Sequence, residues 1–185
     1  MADGNWDKNK AIGNMAENIV EFLINSTPNW KCIKYGMENH IEELRKNIRN
    51  NNGEISKSIR SMPDFIAINE KNSQILLIDV KYRSYLDNRE PQKLLFGFRY
   101  GRIKNYLEYW DNAYFIVVHP HDPYFFVINL KDVEWHKHFR NRVENGCNCI
   151  EYWDFAGIMK RIKDIFPELS NETLNEAIKM IPKRN

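Results

Sequence analysis

Between Met62 and Lys81 the chain reads MPDFIAINEKNSQILLIDVK, two short apolar runs separated by a polar stretch, which is the pattern of two antiparallel strands joined by a turn. If Glu70-Lys71-Asn72-Ser73 is the turn and Asn69 faces Gln74, paired positions sum to 143, and Asp64 falls directly across from Asp79. Side chains alternate faces along a strand, so Asp79 and Lys81 share one face with Asp64. The run Ile75 to Ile78 followed by Val80 is apolar on both faces, the mark of a central strand.

The rest of the chain is organised around this hairpin. Ile12, Met15, Ala16, Ile19, Val20 and Leu23 recur at helical spacing and predict an amphipathic helix over 9–23, ended by Asn25-Ser26-Thr27-Pro28. A first strand is expected over 30–37, with Cys32 as a small buried hydrophobe, and a short helix over 39–50. A turn-rich polar insertion then runs through 50–61, either a substrate-touching loop or a linker. After the hairpin, a second core helix is predicted over 99–110 with Ile103, Tyr106, Leu107 and Trp110 inward. Strands follow over 113–118 and 124–130. The tail adds helices over 155–166 and 171–181, the latter with Ser170 as N-cap.

Two carboxylates opposed on one face of a strand pair have β-carbons about 4.5–5.5 Å apart and repel unless a cation lies between them. An oxygen-only donor set suits a hard divalent ion, Mg²⁺ with Mn²⁺ as a substitute, which needs only one or two carboxylates. Lys81, two residues beyond Asp79, can orient water or stabilise charge on a phosphate at the same spot. The plainer alternative, a surface ion pair between Asp79 and Lys81, conflicts with the apolar character of their strand.

Glu17 borders the apolar stripe of the first helix, whereas Glu21 is expected on the solvated side. Taken alone, Glu17 reads as an ordinary boundary glutamate. The turn His119-Pro120-His121-Asp122-Pro123 offers two histidines beside an aspartate, but its two prolines argue for a rigid connection rather than ligation. His136, His138, Cys147 and Cys149 are zinc-ligand types at a spacing that does not match the usual structural zinc pattern.

Pro63-Asp64, a hairpin's length, and then Asp79-Val80-Lys81 resemble the PD-(D/E)XK nuclease superfamily, which includes restriction endonucleases, archaeal-type Holliday junction resolvases and repair nucleases. The resemblance covers roughly residues 11–130. It implies an α/β fold with a restriction-endonuclease-like core, α-β-β-β-α-β, a central mixed sheet flanked by helices, with 131–185 as a helical C-terminal extension of a single domain. Gly13-Asn-Met-Ala-Glu17 is similar to the resolvase helix-one pattern and so brings Glu17 into the site. Asp64, Asp79, Glu17 and the Val80 carbonyl are then the implied metal ligands, with Lys81 completing the catalytic set. Related nucleases carry a Gln-xxx-Tyr pair on the second helix; here Arg102 stands four residues before Tyr106 in place of Gln, which leaves a phosphate-facing role. The insertion before Pro63 departs from the compact resolvase pattern. The implied activity is Mg²⁺-dependent endonucleolytic hydrolysis of DNA, resolvase-like and serving recombination and repair, by a homodimer. The alternatives are a restriction-type endonuclease cutting duplex DNA and a non-cleaving DNA-binding module.

Composition narrows this further. A chain of 185 residues with 43% hydrophobic and 28% charged residues can bury one substantial core. Net charge is only +2, so nucleic-acid affinity must come from a local patch. Residues 81–104 hold seven Lys/Arg against two acidic residues, whereas 105–134 hold one against five. This segregation nominates Arg83, Arg99, Arg102 and Lys104 as phosphate contacts, with Tyr82, Tyr85, Phe96, Phe98 and Tyr100 interleaved. The apolar runs are too short to span a bilayer, the first residues lack a signal core, and three cysteines make no disulfide framework; the expectation is a soluble cytoplasmic protein.

Overall fold

The computed structural model describes residues 3–35, 46–48, 51, 53–83, 86–87, 90–97, 100–132, 143–144, 147–151 and 158–182, with backbone alone for 3–6, 86–104 and 143–151 within these ranges. It is an α/β structure built on a six-stranded mixed sheet. Helix α1 (Asp3–Asn25) leads into strand β1 (Trp30–Lys34), and helix α2 (Glu54–Arg60) precedes the hairpin of β2 (Phe65–Asn69) and β3 (Ile75–Tyr82). Two strands, β4 (Leu86–Asp87) and β5 (Glu90–Gly97), lie between β3 and helix α3 (Tyr100–Tyr109), after which β6 (Tyr114–Val118) and β7 (Phe125–Asn129) form a second hairpin. The later elements are β8 (Val143–Glu144), β9 (Cys147–Glu151), β10 (Lys160–Arg161), α4 (Ile162–Ile165) and α5 (Asn171–Met180).

The main sheet has the order β1-β2-β3-β6-β7-β10, and among the described residues its one parallel pair is β3 with β6. Parallel neighbours need a crossover, and here it carries α3 to one face while α1 covers the other. Against α1 pack Phe65, Ala67, Leu76, Ile78, Val80, Ile116, Val118 and the tail residues Phe166, Ala177 and Ile181. Against α3 the sheet presents Leu77, Phe115, Val117, Phe126 and Ile128, packed with Tyr106, Leu107 and Trp110. The strict alternation along β3 thus sends Leu77, Asp79 and Lys81 to the α3 side and Leu76, Ile78 and Val80 to the α1 side. No described helix is long and apolar enough to cross a membrane.

Several expected elements differ. The helix expected over 155–166 is instead the edge strand β10 followed by a single turn, α4. The open edge of β7 takes Lys160 and Arg161 opposite Val127 and Phe126, while Ile162 and Phe166, one turn apart, anchor in the core. The polar insertion contains α2, docked onto the end of α3 by the Trp110 indole, which donates to the Ser58 carbonyl at 3.3 Å. A second sheet, β4-β5-β9-β8, has no counterpart in the sequence pattern, because β5 carries a proline and a glycine and its partner β9 lies far along the chain. The first strand ends at Lys34 rather than 37, and the predicted helix over 39–50 lies largely outside the described residues; 46–48 are helical.

On α1, Met15 is 43% exposed, against the expectation that it faces inward. The buried stripe runs through Ala16, Ile19, Val20 and Leu23 to Ile24 and is therefore turned away from Met15. Glu17 sits only about 20° from Ile24 on the helical wheel, so the same rotation draws it inward.

Candidate active site

Ladder partners Phe65–Ile78, Ile66–Leu77, Ala67–Leu76 and Ile68–Ile75 all sum to 143, so the expected register holds and places Asp64, one residue before β2, opposite Asp79. The four-residue turn holds too: Asn69 N–H donates to the Gln74 carbonyl at 2.9 Å, and the Asn69 side chain accepts from Lys71 N–H at 2.9 Å. Ser73 takes the left-handed conformation, φ 58°, that lets this turn close.

Asp79 is 1% exposed. One of its carboxylate oxygens accepts from the Tyr106 hydroxyl of α3, and the other is paired with the Lys81 ammonium. Apart from that ion pair the second oxygen has no hydrogen-bond donor among the described residues. The Lys81 ammonium also donates to the Val80 carbonyl at 3.3 Å and lies 6.0 and 5.8 Å from the ring centres of Tyr106 and Phe115. Asp64 is held differently. Its carboxylate accepts from Val80 N–H at 2.7 Å, and its own carbonyl accepts from Tyr35 N–H at 2.9 Å, tying the start of β2 to the end of β1.

These groups share one electrostatic field. Desolvation, first, and then the nearby Asp79 charge push the Asp64 carboxyl well above the usual carboxylate range; Lys81 and the Val80 N–H pull it back. Glu17 is half-buried, and burial raises it; Lys81 lowers it and Asp79 raises it, which puts Glu17 within the influence of the same cluster. Glu21 is not on a purely solvated side as expected: it is partly buried and pairs with Lys34 of β1 at 3.1 Å. Its position on the β1 flank separates it in role from Glu17.

The structure therefore brings together Glu17, Asp64, Asp79, Val80 and Lys81. Among the described residues no three His, Cys, Asp or Glu side chains gather closely enough to form a ready-made metal cage. The donors that face one another are Asp64 and Asp79 with the Val80 carbonyl, and the Lys81 ammonium now takes two of those contacts, at Asp79 and at Val80. Such a set fits a hard cation that retains waters.

Of the candidate phosphate contacts, Arg83 is half-buried at the end of β3 and donates from Nη1 to the Tyr82 carbonyl at 2.8 Å. Arg102 and Lys104 lie in α3 with backbone alone described, and Arg99 lies outside the described residues. Cys32 is half-buried, and its thiol is pushed up to about 12 mainly by burial, in keeping with an inert role. His119 is buried in the rigid turn as a neutral ring, burial lowering its pKa. Cys147 and Cys149 fall in β9 with backbone alone, and His136 and His138 lie outside the described residues. The contact between Tyr106 and Asp79 has no motif in the sequence to announce it, though the inward phase of Tyr106 on its helix points towards it. No protein-family model matches the chain, and no curated protein is significantly similar to it in sequence.

Proposed function

We infer that this chain is a Mg²⁺-dependent endodeoxyribonuclease of the PD-(D/E)XK type with a restriction-endonuclease-like core, resembling Holliday junction resolvases. One observation carries the reading: Asp64 and Asp79 oppose each other across a buried hairpin with Lys81 on the same face. Carboxylates seldom persist so close together in a desolvated place unless a cation joins them. The element order of α1, β1, β2, β3, α3 and β6, with β3 parallel to β6, supports the fold assignment.

Asp64, Asp79 and the Val80 carbonyl would hold the ion, with Glu17 as an additional carboxylate. When bound, Mg²⁺ supplies Lewis-acid charge at the phosphoryl oxygens and makes water a better nucleophile. The chain's own groups do the rest. Val80 N–H fixes the orientation of Asp64, and the Tyr106 hydroxyl fixes that of Asp79. Lys81, displaced from its resting contacts, keeps a positive charge beside the phosphate and stabilises the charge that grows there during hydrolysis. Basic residues between Lys81 and Lys104 bind the DNA backbone without reading sequence.

The test is cleavage of labelled duplex, single-stranded and four-way-junction DNA, each with Mg²⁺, with Mn²⁺ and with EDTA. Metal-dependent cuts on the junction support the resolvase-like reading. Cuts at one defined duplex sequence replace it with a restriction-type activity. Binding without turnover in any metal leaves a non-cleaving DNA-binding module.

A further inference from the structure

The face that carries Asp79 and Lys81 continues past them. In the parallel ladder Asp79 lies beside Phe115, Lys81 beside Val117 and Tyr82 beside Val118. Arg83 N–H donates to the Val118 carbonyl at 3.0 Å, and His119 N–H donates to the Tyr124 carbonyl at 2.8 Å, so both strands run one residue further in the same geometry. Arg83 and His119 are then the next pair on the face of Asp79 and Lys81, at the carboxyl ends of two parallel strands. Crevices outside such strand ends are where open α/β sheets bind ligands.

His119 is 1% exposed, and its ring is held from one side only among the described residues. Nδ1 lies 3.1 Å from His121 N and 2.9 Å from the His121 carbonyl, while Nε2 is buried with no hydrogen-bond partner among those residues. With Nδ1 accepting from His121 N–H, the neutral ring carries its proton on Nε2, a donor with no acceptor among the described groups. Buried donors of this kind are rare and need an explanation.

We propose that Arg83 and His119 form a phosphate subsite, one nucleotide along the strand from the phosphate held at Asp79 and Lys81. This rests on the nuclease reading above and adds to it a direction for the bound strand, running along β3. Same-face residues on a strand recur about every 6.6 Å, a step commensurate with successive phosphates on an extended nucleic-acid strand. Arg83 supplies charge, and His119 Nε2–H supplies an uncharged donor fixed by its Nδ1 anchor. Nε2 is shielded in the ligand-free fold, so a phosphate must first draw the half-buried Arg83 side chain from its contact with the Tyr82 carbonyl.

The test uses DNA whose cut position has been mapped with Mg²⁺, carrying a neutral methylphosphonate at one position at a time, with binding measured in EDTA. In the wild type, neutralising the phosphate next to the scissile one should weaken binding roughly tenfold, the scale of a hydrogen bond to a charged group. In His119→Phe that same replacement should have little further effect, while replacements elsewhere act on both proteins alike. Equal sensitivity of the two proteins at every position would overturn the subsite and leave the nuclease intact. A second measurement needs no variant: in ¹⁵N-histidine spectra of the wild type, the His119 Nε2 resonance should move on adding the all-phosphate DNA and stay in place with the neighbouring methylphosphonate. A resonance that ignores both DNAs overturns the subsite. A protein that binds but cuts no DNA removes the nuclease reading instead, and the Nε2 shift with whole DNA then decides the subsite separately.

Discussion

Ionising Asp64 places a second negative charge opposite Asp79 where little water can screen it, and the fold resists that ionisation. Because its folded pKa lies above the unfolded one, the native state holds more protons than the unfolded chain in the window between them. Stability therefore falls as pH rises from about 4 through the folded pKa. Glu17 is shifted the same way and adds to the trend. Thermal melts of the metal-free protein should show this decline, and Asp64→Asn should flatten it. The same variant, like Asp79→Asn, should abolish cleavage with the fold intact; wild-type turnover in either would remove the proposed site. Lys81→Ala should slow cleavage by roughly 10² or more, read in single-turnover assays, with near-normal rates marking a merely structural ion pair. Glu17→Gln should shift the Mg²⁺ dependence to higher concentration, whereas Glu21→Gln, which breaks only the pairing with Lys34, should not. At this scale the pairing of Asp64 with Asp79 is legible in the sequence because a short polar turn dictates its register. The pairing of Arg83 with His119 is not, since it depends on a parallel crossover whose register no local pattern records.

Helices announce themselves through periodicity and caps, and α5 shows how far that reaches. Ser170 Oγ accepts from Thr173 N–H at 3.1 Å, as the N-cap reading requires, and the helix buries Ala177 against α1. Removing the cap with Ser170→Ala should cost about 1 kcal/mol, checked by denaturant unfolding; an unchanged midpoint would show that water replaces the hydroxyl at no cost. β10 and the second sheet are harder to read. Two-residue strands carry no usable alternation, and the ladder between β5 and β9 joins segments that only the folded chain makes neighbours. The four-residue α4 shares its apolar spacing with a longer helix, and only the vacant edge of β7 decides against one.

For the molecule as a whole, a net charge of +2 conceals a basic stretch followed by an acidic one. Neutralising Arg99, Arg102 and Lys104 together should weaken binding to every DNA by similar factors. The salt slope of log K should shrink by about 0.9 for each duplex phosphate that the variant no longer neutralises. A resolvase-like enzyme must also cut a two-fold-symmetric substrate twice, so a homodimer is expected by sedimentation, with tighter binding to a four-way junction than to linear duplex at equal salt. A monomer preferring one linear sequence would favour the restriction-type alternative.

Tyr82, the residue after Lys81, donates its hydroxyl to the Pro182 carbonyl at 2.7 Å, across 100 residues of sequence. During synthesis, Glu17, Asp64, Asp79 and Lys81 all leave the ribosome long before the segment that braces their strand. Closing so long a loop comes late in entropic terms. A nascent chain would therefore carry the cutting residues without their final support, and competence to cut DNA would be deferred until Pro182 is in place.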